Sequence, residues 1–187
     1  MTALRDAAGI CRLIGASPFH VAALRTVGAL ALPDWWIGAG FVRNLVWDHL
    51  HDFAVPTRLA DVDVIWFDPQ CGTAEIDDAL TAKLREIQPG VPWSVKNQAR
   101  MHVRNGDSAY RSSTDAMRHW PETATAVAVT LAADGTLDLA APFGTGDLLA
   151  MLLRPTPHFR HRAADYRARQ SSKDWRAIWP RLRDAAC

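Results

Sequence analysis

The chain has 187 residues, of which 49% are hydrophobic and 22% are charged, and its formal net charge is +1. This composition supplies enough apolar side chains for one buried core, and it excludes fibrous, low-complexity and strongly basic, histone-like nucleic-acid-binding proteins. We therefore expect a single domain over residues 1–187, with a core at about 34–145 and a helical C-terminal segment at about 146–187.

The three cysteines, Cys11, Cys71 and Cys187, lie far apart and include no CxxC pair. Their spacing is unlike that of a disulfide framework or a thiolate zinc site, and it favours a reducing compartment. Charged residues interrupt the apolar N-terminal positions, and no stretch of the sequence resembles a signal peptide or a membrane span. The sequence therefore predicts a cytoplasmic protein with no membrane partner.

Apolar spacing predicts two short helices at the start of the chain, one ending near Gly15 and one beginning at Ser17 and Pro18. A strand at residues 35–37 then leads through a glycine-containing turn at residues 38–40 into a helix over residues 41–50. This unit is a strand, a tight turn and a helix.

The later pattern alternates strands and helices before it ends in a hairpin and a helical region. It predicts a strand at 61–68, a helix at 75–88, a strand at 93–102, a hairpin of 125–131 with 136–140, and helices from Asp147 onward. The predicted fold class is α/β (α+β), with a mixed sheet flanked by helices and with helical N- and C-terminal segments.

Asp61 and Asp63 are two residues apart on a predicted strand, so their side chains face the same side of the sheet. Two carboxylates on an otherwise apolar strand repel each other unless a cation lies between them, and oxygen ligands suit Mg²⁺ or Mn²⁺. The alternative is that Asp61 ends a loop and that Asp63 lies on a solvated strand edge.

The turn Gly38-Ala39-Gly40 precedes a helix whose first turn carries Arg43 and Asn44. Free N–H groups at such a helix start can bind a phosphate, although glycines at this position more often only form a tight turn. The segment is neither a P-loop nor a full dinucleotide fingerprint.

The two signals occur together, since a DxD strand follows the glycine turn after a short interval. In this layout the chain resembles the DNA polymerase beta-like nucleotidyltransferase superfamily and, within it, a bacterial family of small nucleotidyltransferase-like proteins. The resemblance covers about Trp35 to Trp179 and rests on five runs, at residues 37–47, 61–64, 93–102, 120–124 and 141–144.

The resemblance implies that Gly38 and Gly40 face a nucleoside triphosphate and that Asp61 and Asp63 are catalytic ligands of Mg²⁺ or Mn²⁺. It also implies nucleotidyl transfer to an acceptor by in-line attack on the α-phosphorus. Arg43 and Asn44 are then candidate nucleotide-binding residues.

The chain departs from the superfamily pattern at two places. The turn has Gly38-Ala39 where Gly-Gly or Gly-Ser is usual, and the segment 93–102 carries no acidic residue where a third carboxylate is expected. Asn97 or Gln98 as a neutral ligand, Glu75 or Asp107 from a loop, catalysis with fewer ligands, and loss of activity all remain open.

The segment 93–102 is predicted to place a row of polar side chains on one face. This row, together with the adjacent amide, gives five candidate substrate-binding residues: Lys96, Asn97, Gln98, Arg100 and His102. A polar row is also normal on a solvated sheet edge, but the apolar neighbours Trp93 and Val95 favour a pocket.

Acidic residues outnumber basic ones between residues 34 and 86, and the reverse holds from residue 154 onward. The basic C-terminal residues are predicted either to form a solvated helix face or to line a phosphate- or RNA-binding cleft. The pairs His49/His51 and His158/His161 lack the context of a metal motif and are interpreted as surface residues, and Trp120 could stack on a base.

Three functions follow from these features. The leading prediction is a metal-dependent nucleotidyltransferase that uses a nucleoside triphosphate and an unknown acceptor, either RNA or protein. The alternatives are an inactive nucleotide- or RNA-binding module and a partner-binding scaffold.

Overall fold

The computed structural model describes residues 4–185, so that Cys187 lies outside the described residues. Two helices, α1 (Ala7–Gly15) and α2 (Pro18–Gly28), precede the first strand. Asp6 caps α1 by accepting a hydrogen bond from the Gly9 N–H at 2.7 Å. Pro18 is the first residue of α2, as predicted, because its fixed φ suits the first turn of a helix.

The central unit contains β1 (Trp36–Gly38), α3 (Gly40–Leu50), β2 (Val62–Trp66), α4 (Ala74–Ile87) and β3 (Trp93–Asn97). A 3-10 turn at Gln98–Arg100, α5 (Met101–Asn105) and α6 (Ser113–Met117) follow, and then the hairpin β4 (Ala128–Leu131) and β5 (Leu137–Ala140). The C-terminal segment holds α7 (Gly146–Leu149), β6 (Leu152–Leu153), α8 (Pro157–Arg160), α9 (Ala163–Ser171), α10 (Trp175–Ile178) and β7 (Arg183–Asp184).

The main sheet has the strand order β3-β2-β1-β4-β5. β2 and β3 are parallel and are joined through α4, whereas the other neighbouring strands are antiparallel. The predicted mixed α/β sheet with helical segments at both ends is confirmed.

One face of the sheet carries the main core. Apolar residues of the strands, among them Ile37, Val64 and Val95, are fully buried against the helices on this face. The opposite face carries a smaller cluster of Ile65, Met117 and Ala128, with Trp36, Trp120 and Ala140 packed against it. Asp63 alternates with Val62 and Val64 and therefore lies on this second, partly open face.

The C-terminal segment packs against α3 through three tryptophans, one on α3 and two in the C-terminal segment. Trp47 packs edge-to-face against Trp175 and Trp179, with ring centroids 5.8 and 5.1 Å apart. The Trp179 indole N–H donates to Asp48 Oδ1 at 2.8 Å, and the Trp47 N–H donates to the Leu148 carbonyl at 3.1 Å. These contacts bring α9 to the edge of the open face.

Four element predictions are wrong in extent, and one of them is the first hairpin strand, which was predicted at 125–131 but begins only at Ala128. The strand predicted at 93–102 ends at Asn97, because the Asn97 side chain accepts the Ala99 N–H and the chain turns into the 3-10 turn and α5. The strand predicted at 61–68 spans only Val62–Trp66, and the region after Asp147 includes two short strands among its helices.

No single helix within residues 4–185 has the length and apolarity of a membrane span, and α1 with α2 reach that length only as a pair bent by 92°.

Candidate active site

The turn between β1 and α3 has a strained residue at its centre. Ala39 has φ 52° and ψ −119°, a conformation that residues other than glycine rarely adopt, and its N–H donates to the Val127 carbonyl at 2.9 Å. Helix α3 begins at Gly40, so the N–H groups of its first turn have no intrahelical acceptor and can bind an anion.

Gly38 lies under an aromatic side chain. A Cβ atom at this position would come within 2.7 Å of the Trp120 ring, so only glycine lets the indole pack on β1. Gly40 is next to Arg43 and Asn44, whose side-chain atoms would lie 3.5 and 3.7 Å from a Cβ there. Of the two glycines assigned to the triphosphate, Gly40 lines the pocket described below, whereas Gly38 supports Trp120.

The two aspartates lie beside this turn. Asp63 pairs with Gly38 on β1 and with Ser94 on β3, and Asp61 lies just before β2. Burial and the nearby Asp61 carboxylate raise the pKa of Asp63 to about 6, while Arg43 and a hydrogen bond from Ser94 act in the opposite direction. Within residues 4–185 neither carboxylate has a basic side chain within ion-pair distance.

Two pockets meet at three residues, Ala39, Asp63 and Arg169, and together they form the surface that we call the cleft. The first, of about 240 Å³, extends over the open sheet face past Ser94 and Trp120. The second, of about 360 Å³, extends from Gly40 and Asp61 toward α10. A separate pocket of about 580 Å³ behind residues 56–60 contains neither aspartate and is not the candidate site.

Arg43 is a buried cation behind the aspartates. Its guanidinium donates to Thr125 Oγ1 at 3.2 Å and to Asn44 Oδ1 at 2.8 Å, and it stacks over the Trp175 ring at 4.3 Å. Burial lowers the pKa of Arg43 to about 10 against the opposing influence of Glu122, Asp61 and Asp63. Arg43 and Asn44 line the second pocket, but both are 7% exposed and are engaged with each other.

Arg169 of α9 lines both pockets and is held in place by an ion pair with Glu122. Its Nε donates to Glu122 Oε1 at 2.8 Å, and Gln170 Nε2 donates to the same oxygen at 2.9 Å. Glu122 is fully buried, and its Oε2 has no hydrogen-bond partner among the described residues. The basic residues of the C-terminal segment therefore have different environments. Arg160 and Arg167 are exposed, whereas Arg169 faces the cleft.

The five predicted substrate-binding residues do not lie together, because β3 ends at Asn97. Lys96 and Gln98 line the first pocket. Asn97 is fully buried and bonds the carbonyls of Asp68 and Cys71, both at 2.8 Å, and Arg100 pairs with the buried Asp77. His102 packs edge-to-face on Tyr110 with ring centroids 6.0 Å apart, so neither it nor Asn97 nor Arg100 reaches the pocket.

The expected third carboxylate is not on β3. Ser94 occupies the position beside Asp63, and Asp107 lies in a separate cluster with His119 and His158. Asp174, an exposed residue before α10, lines the second pocket with Asp61 and Asp63, but the three carboxylates do not approach within 4.8 Å of one another.

The sequence pattern indicated no role for Ser94, Glu122 or Thr125, and it left Arg169 among the basic C-terminal residues that form either a solvated helix face or a cleft wall. Ser94 and Glu122 belong to the runs on which the resemblance rests, which was the available signal. Glu122 and Arg169 are distant in sequence and meet only through tertiary packing, so no local pattern indicates their ion pair.

The chain is similar to one protein family and to several solved structures. The family model described as Nucleotidyltransferase matches residues 25–183. A solved structure described as revealing a CCA-adding enzyme head domain is 36% identical, with a TM-score of 0.86 and 97% of each chain covered. No curated protein matches.

More distant structures share the fold alone. The Thermotoga maritima CCA-adding enzyme in complex with tRNA and a CCA-adding enzyme in complex with ATP each have a TM-score of 0.61 and 14% identity. Each covers 100% of this chain, but this chain spans only 44% of theirs. From the family match and the 36% identical head domain, we conclude that this chain belongs to the nucleotidyltransferase family.

Proposed function

We propose that this protein transfers a nucleoside monophosphate from a nucleoside triphosphate to an acceptor bound in the cleft, with Mg²⁺ or Mn²⁺ as cofactor. The observation that carries the proposal is the convergence of the Asp61–Asp63 pair, the N-terminus of α3 and Arg169 on the cleft. Membership in the nucleotidyltransferase family supports the reaction class.

The donor set fits a hard divalent cation. Asp61 and Asp63 offer carboxylate oxygens at the open end of β2, and burial together with the Asp61 carboxylate raises the pKa of Asp63, an effect that a bound cation would oppose. When bound, the ion would neutralise charge on the phosphate oxygens at the reacting phosphorus.

The other residues of the cleft are suited to bind and orient the two substrates. The free N–H groups at the start of α3 and the guanidinium of Arg169 are suited to triphosphate oxygens, with Lys173 at the border of the second pocket. Trp120 and Lys96 in the first pocket are suited to a base and to a phosphate of the second substrate. We propose RNA as the acceptor, since one structural relative was solved with tRNA.

A second candidate is a nucleotide- or RNA-binding module without turnover. It is favoured by one observation, the presence of Ser94 where an acidic residue on β3 would face Asp63. A hydroxyl is a weaker metal ligand and a weaker proton acceptor than a carboxylate.

Calorimetric titration with ATP, CTP, GTP and UTP, with and without Mg²⁺ or Mn²⁺, tests binding. Incubation with α-labelled triphosphates and RNA tests transfer. We expect metal-dependent binding and labelled RNA for the wild type, and loss of both for the Asp61→Asn, Asp63→Asn variant.

Asp52→Asn is the matched control, because Asp52 is exposed, lies outside the cleft and has a positive φ that asparagine tolerates. Metal-dependent binding without transfer would favour the binding module. A folded wild type that binds no triphosphate would contradict nucleotidyl transfer and nucleotide binding, and it would leave RNA binding or a partner-binding scaffold.

A further inference from the structure

Three side chains distant in sequence form a second cluster away from Asp61 and Asp63. Asp107 follows α5, His119 follows α6, and His158 lies in α8. One ligand atom from each lies within 4.8 Å of the other two. Their side chains are 4%, 27% and 21% exposed, so the cluster is largely shielded from water.

Each of the two imidazoles lies close to one oxygen of the Asp107 carboxylate, at a spacing compatible with a shared ion. Asp107 Oδ2 lies 3.3 Å from His119 Nδ1, and Asp107 Oδ1 lies 3.3 Å from His158 Nε2. Two ligands about 2.0–2.1 Å from a tetrahedral zinc ion are themselves roughly 3.3 Å apart.

One atom of the cluster is left without a partner. His119 Nδ1 is buried and has no hydrogen-bond partner among the described residues, despite the nearby carboxylate. A buried imidazole nitrogen without a partner is costly, and coordination of a cation removes that cost.

The surrounding groups orient the carboxylate. The Tyr110 hydroxyl donates to Asp107 Oδ2, and the Asn105 side-chain amide donates to the Tyr110 oxygen at 3.0 Å. Arg162 approaches Asp107 Oδ1 at 3.4 Å and is 35% exposed, so it can swing into solvent when another cation takes its place. Hydrogen bonds from second-shell residues to ligating carboxylates are usual at metal sites.

We propose that Asp107, His119 and His158 form a binding site for a divalent transition-metal ion of the Zn²⁺ class, separate from the Asp61–Asp63 site. Two imidazoles and one carboxylate suit Zn²⁺, Co²⁺ or Ni²⁺, whereas Mg²⁺ prefers an all-oxygen set. Three protein ligands leave a coordination position for water.

The site would join three segments that border the cleft. His119 directly precedes Trp120, which packs over Gly38, and α8 leads into α9, which carries Arg169. Asp107 follows Arg104 and Asn105, which line the first pocket. An ion bound here would therefore fix both Trp120 and the C-terminal segment.

Calorimetry with Zn²⁺ on the metal-free full chain tests the site, with His119→Gln and His158→Gln as variants. We expect one Zn²⁺ per chain, and an affinity reduced by roughly 100-fold or more in either variant. The control is His161→Gln, because His161 is exposed and close in sequence to His158. Both this control and the Asp61→Asn, Asp63→Asn variant should bind Zn²⁺ as the wild type does.

Co²⁺ provides a second measurement on the wild type, which does not depend on whether the variants fold. We expect the intense visible bands of a four- or five-coordinate ion, and their loss when one equivalent of Zn²⁺ is added. Near-UV circular dichroism checks the fold of each variant.

Three results would overturn the proposal: Zn²⁺ binding by the wild type no tighter than by folded His158→Gln, equal loss in His161→Gln, or only the weak spectrum of octahedral Co²⁺. The cluster would then be an ion-pair network around Asp107. Because the Asp61→Asn, Asp63→Asn variant retains these three ligands, failure of this site and failure of the proposed nucleotidyl transfer are distinguishable.

Discussion

At the scale of single residues, the turn before α3 combines strain with close packing. Ala39 has a conformation that favours glycine, while Gly38 is required because Trp120 lies against its Cα. Backbone strain of this kind costs of order 1–3 kcal/mol and persists only where the surrounding structure enforces it. Here the hydrogen bond from the Ala39 N–H to Val127 and the start of α3 hold the turn in place.

Ala39→Gly should therefore stabilise the protein. We expect the free energy of unfolding to rise by about 1 kcal/mol, because the relief of strain exceeds the added entropy of glycine in the unfolded chain. Urea denaturation measures the change. Ala29→Gly is the control, since Ala29 has φ −65°, and the same replacement there should be destabilising. Equal losses at both positions would show that Ala39 is not strained.

At the scale of elements, the cleft depends on contacts between segments that are distant in sequence. Glu122 precedes β4 and holds Arg169 and Gln170 of α9, and His20 of α2 bonds the Phe41 carbonyl of α3 at 3.0 Å. Glu122 and His20 are buried, so their hydrogen bonds replace those that water made in the unfolded chain.

Glu122→Gln should lower the free energy of unfolding by about 3 kcal/mol. The substitution keeps the shape of the side chain but removes the buried anion that pairs with Arg169 and attracts Arg43 at longer range, and removal of one partner of a buried ion pair is strongly destabilising. Chemical denaturation compares this variant with Glu86→Gln at an exposed position on α4. A loss below about 1 kcal/mol would contradict the assignment of Glu122 as the anchor of α9.

His20 should make the stability depend on pH. Burial lowers the pKa of His20, with the Phe41 carbonyl acting in the opposite direction, so the unfolded chain binds a proton near pH 6.5 that the folded chain binds only at lower pH. Stability from this group is therefore present above about pH 6.5 and decreases as the pH falls below it.

The measurement is urea denaturation at pH values between about 5 and 8, with His20→Gln compared with the wild type. The variant should show a smaller loss of stability on acidification. The control His161→Gln, at an exposed position, should behave as the wild type. Parallel curves for His20→Gln and the wild type would refute a role for His20.

At the scale of the whole molecule, the C-terminal segment packs against the sheet domain through aromatic rings. Trp175 and Trp179 contact Trp47 of α3, and Asp48 accepts hydrogen bonds both from Trp179 and from the Thr57 backbone N–H, the latter at 2.7 Å. Because α3 also begins at the candidate phosphate-binding turn, packing of the C-terminal segment and geometry of the cleft are linked.

Trp179→Phe should lower the free energy of unfolding by about 2 kcal/mol, since it removes a donor to the buried Asp48 carboxylate. Far-UV circular dichroism and tryptophan fluorescence should report one common urea transition, because the C-terminal segment and the sheet share a core. Ala177→Ser, at an exposed position on α10, is the control. Separate transitions for the two probes would show that the protein does not unfold in one cooperative step.

The sequence alone determined the features that depend on neighbours along the chain. Apolar periodicity predicted α1, α2, α3 and α4, the two runs at 125–131 and 136–140 predicted the β4–β5 hairpin, and alternation predicted that Asp61 and Asp63 face the same side, where both line the second pocket. These inferences succeed because helix and strand periods are local properties of the backbone. The nucleotidyltransferase resemblance, confirmed by the family match, rests on the same local runs.

Tertiary structure decided which side chains share a space. β3 ends at Asn97 because its amide bonds the loop after β2, and this separated Lys96 and Gln98 from Arg100 and His102. Glu122 meets Arg169, and His158 meets His119 rather than His161, only after the C-terminal segment packs on α3. Such pairings depend on contacts between distant segments, which no local period of the sequence encodes.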